Sequence, residues 1–249
     1  MPYAAVTGLS HDGLVRDHNE DSLVAGPWTL CAATTLTPQT IYFPIDDPLV
    51  VAVADGLGGH PAGEQASSLA VQHMAWAGPS LTGEAAVRET IGACNELMYS
   101  EAARDPERIA MGTTIAGVVI IDSAVIVFNV GDSRVYRLDD TRLAQLSVDD
   151  NEPPSPGQHR SPVLTQCLGG RLDAEAIEPH LSTWPLAGPA RYLICTDGLT
   201  DAVADETITA LLRSHDGSRA AFELWRAAIE AGAADNVTLA LVEITQPAQ

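Results

Sequence analysis

The most apolar stretch of the chain is TTIAGVVIIDSAVIVFNV, residues 113–130, and one polar pair, Asp122-Ser123, divides it. Uninterrupted, a run of about this length would read as a membrane span. Divided, its two β-branched halves read as an antiparallel hairpin closed by a two-residue turn. Other strand-like runs lie at about residues 3–8, 21–25, 49–54, 134–138, 191–196 and 237–244. Helical spacing marks residues 64–77, 83–103, 205–213 and 218–231. In the second of these, Val87, Ile91, Cys94 and Met98 share one face. In the last, Ala221, Leu224, Trp225 and Ala228 form an apolar stripe behind Ser218, the expected N-cap. Strands come in adjacent pairs, and helices are grouped between strand groups. That order predicts an α+β fold with antiparallel sheets and helices on their outer faces, not a doubly wound parallel sheet.

The 249 residues are expected to form one domain, residues 1–249. The Pro-rich stretch NEPPSPGQHRSP, residues 151–162, reads as a loop within it. TIYFPI, within residues 26–48, reads as an extra edge strand whose ladder Pro44 would break. A net charge of −20 sets nucleic acid aside as a partner and disfavours docking on an anionic membrane. Cys31, Cys94, Cys167 and Cys195 form no CxxC pair, so reduced thiols are expected. The N-terminal residues lack a basic and an apolar signal region, so a cytoplasmic location is expected.

The chemistry is announced by carboxylates at the tips of apolar strands. VVAVAD ends in Asp55, VFNVGD in Asp132 and YLICTD in Asp197, while Asp235 precedes VTLALVEI and Glu20-Asp21 precede SLV. Such groups, partly desolvated and brought together, repel one another and raise each other's pKa values. A divalent cation removes both penalties. An all-oxygen ligand set favours Mg²⁺ or Mn²⁺ over zinc, and no EF-hand loop is present. The glycines after Asp55, in DGLGG, let backbone approach a metal or phosphate. Arg16 is the cation nearest the acidic cluster in sequence; it reads as a phosphate ligand or as an ion-pair partner of Asp17 or Glu20. Asp122, Asp139, Asp140, Asp149 and Asp150 read as ordinary turn residues, and Cys195 as a buried strand residue without chemistry.

The segments RDHNEDS (16–22), VVAVADGLGGHPAGEQAS (50–67), MGTTIAG (111–117), FNVGDSRVYRL (128–138), LTQCLGG (164–170), LICTDGLTD (193–201) and ADNVT (234–238) together resemble the bacterial metal-dependent Ser/Thr protein phosphatases, the PPM or type 2C family. The resemblance implies a sandwich of two antiparallel β-sheets flanked by α-helices, with the site at one edge. It implies two Mn²⁺ or Mg²⁺ ions bridged by Asp55, with the Gly56 carbonyl, Asp197, Asp235, Glu20 and Asp21 completing their surroundings. Asp132 resembles a ligand of a third ion, and Arg16 a phosphate-binding residue. The implied activity is hydrolysis of phosphoserine and phosphothreonine in proteins, with a Ser/Thr kinase or its substrates as partners. Three departures stand out. Leu57 occupies a position where many relatives carry a His proposed as general acid, so His60 is read as structural and leaving-group protonation falls to water at the site. Residues 147–166, where relatives carry a substrate flap, are short and hold four prolines. Residues 26–48 are long for this link. The competing readings are a phosphoprotein-binding regulator without turnover, a phosphatase dedicated to one small regulatory protein, and a structural calcium protein.

Overall fold

The computed structural model describes residues 3–57, 62–105, 108, 110–139, 142–155 and 161–245. In chain order its strands are β1 (Tyr3–His11), β2 (Ser22–Ala25), β3 (Trp28–Cys31), β4 (Gln39–Pro44), β5 (Leu49–Ala54), β6 (Gly56–Leu57), β7 (Gly112–Thr113), β8 (Ile115–Ile121), β9 (Ala124–Val130), β10 (Arg134–Leu138), β11 (Leu143–Gln145), β12 (Leu168–Gly169), β13 (His180–Pro185), β14 (Ala190–Cys195) and β15 (Val237–Thr245). The α-helices are α1 (Ala62–Ala77), α2 (Glu84–Ala102), α3 (Asp197–Thr200), α4 (Asp205–Ser214) and α5 (Gly217–Glu230). One six-stranded sheet runs β11-β10-β14-β15-β1-β4, the other β13-β9-β8-β5-β2-β3, and a small sheet joins β12, β7 and β6. The ladders among these strands are antiparallel, as the sequence predicts.

Side-chain alternation builds four layers. In β5, Val50, Ala52 and Ala54 pack with α1 and α2, while Val51 and Val53 face the other sheet. In β14, Tyr192 and Ile194 face the space between the sheets, and Leu193 and Cys195 pack under α3, α4 and α5. This period of two, read on strands buried on both faces, is why their sequences run continuously apolar. The hairpin at Asp122-Ser123 forms with Ile121 opposite Ala124. Val87, Ile91, Cys94 and Met98 of α2 are buried together. Cys195 is buried against the helices, as expected. Among the described residues no helix is long and apolar enough to cross a membrane.

The differences are local. TIYFPI is an edge strand, β4, but Pro44 sits at the last pair of the ladder, opposite Tyr3, and does not break it. Ser218 is not the cap of α5, which starts one residue earlier, with Asp216 at the cap position and no side-chain cap bond. The Ser218 hydroxyl instead hydrogen-bonds the Thr40 hydroxyl at 3.0 Å, joining α5 to β4. Strand β13 is an edge strand, partly exposed and ending in Pro185, so its sequence lacks an apolar rhythm.

At the centre of the second sheet, Phe128 lies opposite Gly117 in the β8–β9 ladder. A Cβ on Gly117 would stand 2.5 Å from the Ala52 Cβ and the Val51 carbonyl, and 2.7 Å from the tip of the Phe128 ring. The helix layer leaves Phe128 nowhere to move. Gly117→Ala is therefore expected to cost about 1–3 kcal/mol through overpacking, read as a lower urea midpoint with unchanged slope. A midpoint at or above that of wild type would refute this packing account.

Candidate active site

Five chain segments end at the same edge of the sandwich and enclose a cavity of about 240 Å³. Its lining includes Arg16, Glu20, Asp55, Gly56, Asp132, Asp197 and Asp235. Of the eight expected site residues, only Asp21 is not on the wall; it lies buried beneath it. Pro162 and Leu164, from the Pro-rich loop, close one side. A cavity of about 270 Å³ beside Tyr99, Cys167 and Arg171 shares no residue with this one. His60 and the glycines at 58 and 59 lie outside the described residues, as does Asp140.

The electrostatics follow from burial. Desolvation pushes the Asp55 carboxyl well above its usual range, and Asp21, Asp197 and Asp235 push in the same direction. A hydrogen bond between the Asp55 and Asp197 carboxyls adds to this shift, the arrangement of two acids sharing one proton. Asp21 is raised to about 7, again chiefly by burial. Hydrogen bonds from Thr196 and Thr238 oppose that shift, and Asp197 and Asp235 reinforce it. The Thr196 hydroxyl donates to Asp21 Oδ2 at 2.8 Å, whereas Asp21 Oδ1 is buried with no hydrogen-bond partner. An orphaned carboxylate oxygen beside mutually repelling acids fits a cation, and the oxygen-only donors fit a hard one.

Backbone contacts hold the acids in place. The Asp55 amide donates to the Thr114 hydroxyl at 3.1 Å, and the Thr113 hydroxyl donates to the Asp55 carbonyl at 2.8 Å. Thr114 also pairs with Ser133 at 2.7 Å, which connects the Asp55 and Asp132 turns. A Cβ on Gly56 would stand 2.3 Å from the Gly63 carbonyl, and one on Gly63 would stand 2.1 Å from Glu20 Oε2. The described need for glycine after Asp55 is thus close packing of Gly56 on the first turn of α1, with Glu20 lodged against it.

Arg16 pairs with neither Asp17 nor Glu20. Its Nη2 donates to Asp235 Oδ2 at 2.7 Å, across 219 residues of sequence, and this bond is the main cause of its raised pKa. Asn236 organises the same loop: its Nδ2 donates to the carbonyls of Asp12, at 3.1 Å, and His18, at 2.9 Å. Its Oδ1 accepts the Glu20 amide at 2.8 Å. His18 Nε2 lies 2.8 Å from Glu20 Oε1. Asn236 and His18 are functional neighbours that sequence reading missed, although both stand inside the quoted segments ADNVT and RDHNEDS. Asp149 and Asp150 are also more than turn residues. Asp149 takes a bidentate grip from Arg134, and Asp150 Oδ2 accepts the Gly131 amide at 2.8 Å.

The comparisons with known proteins agree with this geometry. The family described as Protein phosphatase 2C matches residues 45–243. The chain belongs to the protein phosphatase 2C family. It is 31% identical to the serine/threonine protein phosphatase PstP of Mycobacterium tuberculosis over 98% of its own length. The chain spans 45% of that relative. Serine/threonine phosphatase stp of Listeria welshimeri is 29% identical, with 93% of this chain and 92% of the relative covered. A crystal structure of the PstP catalytic domain with two manganese ions superimposes with a TM-score of 0.80 at 28% identity, covering 99% of this chain and 100% of that one. Antiparallel sheets flanked by helices are thus the architecture of solved 2C phosphatases.

The raised carboxyls set a pH dependence for the metal-free protein. A carboxyl whose folded pKa exceeds its unfolded value stabilises the fold below the unfolded pKa and loses that contribution as pH rises through the folded one. For Asp21 the window runs from about 4 to about 7. In chelator, the melting temperature is expected to fall as pH is raised through this window, and Mn²⁺ at pH 8 to restore it. A chelated protein whose melting temperature holds level across the window would contradict the placement of these acids.

Proposed function

We propose that this chain is one catalytic domain, residues 1–249, that hydrolyses phosphoserine and phosphothreonine in proteins with two Mn²⁺ or Mg²⁺ ions. The observation that carries the reading is the meeting of Asp21, Asp55, Asp197 and Asp235 at one edge, where desolvation and the neighbouring acids raise the pKa values of Asp21 and Asp55. Support comes from named Ser/Thr phosphatases among its relatives and from the two manganese ions of the PstP structure.

In this reading Asp55, Asp197, Asp235 and the Gly56 carbonyl would hold the two ions. Glu20 and Asp21 act directly or through water, and Asp132 is placed for a third ion. Among the described residues no three His, Cys, Asp or Glu side chains make a cage of their own; in this reading the Gly56 carbonyl and water would complete the set. The ions, when bound, supply charge neutralisation and lower the pKa of water enough to make it a nucleophile at neutral pH. The chain supplies the rest. Arg16 holds the phosphoryl oxygens through its two-pronged guanidinium. To do so it would give up its bond to Asp235, whose carboxylate would then be free to help hold a cation. Gly13, Leu14 and Asn236 keep the Arg16 loop fixed: Leu14 donates to the Ala233 carbonyl at 2.9 Å, and Gly13 lies directly on the Asp235 backbone. Leu57, on the cavity wall, has no proton to give, so the leaving seryl or threonyl oxygen takes its proton from water.

Phosphorylated proteins are the substrates in this proposal, and a Ser/Thr kinase acting on the same targets is the natural counterpart. A cytoplasmic location is part of this proposal, in keeping with cysteines that stand as thiols and not as disulfides.

Hydrolysis of a phosphothreonine peptide, measured with Mn²⁺, with Mg²⁺ and with chelator, tests the reading. Wild type is expected to turn over only with metal. Asp55→Asn is expected to lose more than the roughly 100-fold that removal of an outer-shell partner costs. In chelator at pH 8 the same variant should melt above wild type, because one buried repelling carboxyl is gone. A folded wild type that binds Mn²⁺ without turning over any phosphopeptide would favour the phosphoprotein-binding regulator instead.

A further inference from the structure

Three consecutive residues on the leg leading into the Pro-rich loop grip Gly131 and Asp132 of the turn after β9 and Arg134 at the start of β10. Asp149 receives Arg134 Nε at 3.0 Å and Nη2 at 2.7 Å. Asp150 Oδ2 accepts the Gly131 amide at 2.8 Å and Gln166 Nε2 at 3.1 Å, and its Oδ1 lies 2.8 Å from His180 Nε2. Asn151 Nδ2 donates to Asp132 Oδ2 at 2.8 Å and to the Ser161 carbonyl at 3.0 Å. The first two grips anchor the leg to the sheet. The third differs, because it ends on a carboxylate of the cavity wall and on the loop's returning leg at once.

The two legs are also zipped by backbone. Glu152 donates to the Val163 carbonyl at 2.9 Å, Thr165 to the Asp150 carbonyl at 2.8 Å, and Asn151 pairs with Leu164 as an isolated antiparallel bridge. Pro162 and Leu164, on the returning leg, face the same cavity as Asp132. With the legs zipped to each other, the Asn151 amide ties the returning leg to Asp132 across this side of the cavity.

We propose that Asn151 is a positioning residue that fixes the Pro162–Leu164 wall at a set distance from Asp132 and so selects how a phosphorylated peptide enters the site. This rests on the phosphatase reading above. The side chain meets the cavity wall at Asp132, the residue read as a third-ion ligand, rather than at Asp55, the residue read as holding the first two. Its effect passes through the wall, so it acts on peptide binding and leaves the rate of phosphoryl transfer alone. A small aryl phosphate reaches Arg16 without using the wall and is insensitive to it.

The test compares Asn151→Ala and the isosteric Asn151→Asp with wild type in Mn²⁺. The substrates are a phosphothreonine peptide and p-nitrophenyl phosphate, and amide hydrogen exchange is followed at Glu152 and Thr165. For the peptide, KM is expected to rise about tenfold or more in Asn151→Ala. It should rise further in Asn151→Asp, where an acceptor confronts Asp132. Values of kcat, and KM for p-nitrophenyl phosphate, should stay within about threefold. Exchange at both amides should speed up while global melting stays near that of wild type. Unchanged exchange in both variants would overturn the clamp. Unchanged peptide KM with faster exchange would overturn its role in substrate entry, and a fall in kcat alone would assign Asn151 a direct part in the chemistry. If wild type hydrolyses neither substrate, the phosphatase reading and the entry role fall together. The exchange rates then still decide the clamp.

Discussion

Repulsion among carboxylates that the fold gathers at one edge is the constraint on which the rest of this structure depends. Asp21, Asp55, Asp197 and Asp235 come from four separate segments, and folding brings them to one edge against their own charge, with Asp21 and Asp55 desolvated. A domain is stabilised by only about 5–15 kcal/mol in all, so the surrounding structure must over-determine such a site. It does so with strand ladders on both faces of the sandwich, hydroxyls from Thr113, Thr114, Thr196 and Thr238, and the Asn236 amide. The penalty left over is what a cation bound there would relieve, so that metal binding would stabilise the fold.

The two six-stranded sheets have a division of labour. Their interiors are continuous apolar packing, with alternate residues serving the helix layers and the inter-sheet layer. Polar chemistry is confined to the strand ends, where the ladders stop and backbone amides and carbonyls become available. Asp55 closes β5, Asp132 follows β9, Asp197 opens α3 after β14, and Asp235 precedes β15. An antiparallel sandwich brings alternate strand ends to the same edge, so a site assembled from distant segments needs no special connection.

Much of this was legible in the chain because strand and helix periodicity depend on nearest neighbours. The hairpin at Asp122-Ser123, the buried face of α2 and the acidic strand tips were all readable from local pattern. Local pattern failed where partners lie far apart in sequence. Asp149 and Asp150 look like turn residues until Arg134 and Gly131 are found opposite them. Ser218 looks like a helix cap until Thr40 is found beside it. The short strands of the small sheet carry no periodicity, since two residues cannot show one.

What the sequence determined by itself was the class of chemistry: oxygen ligands at strand ends and a nearby guanidinium, in an order shared with the 2C phosphatases. Residue type sets ligand hardness and charge whatever the geometry. Only the tertiary structure decided the pairings. Arg16 meets Asp235 and not its neighbours, because the loop of residues 12–20 is tied down by Asn236. Asp21 lies behind the cavity wall, because Thr196 holds it from the neighbouring sheet. The Asn151 amide, on the leg that leads into the Pro-rich loop, meets Asp132. Those choices depend on which strand ends meet in space, and spacing along the chain does not encode that.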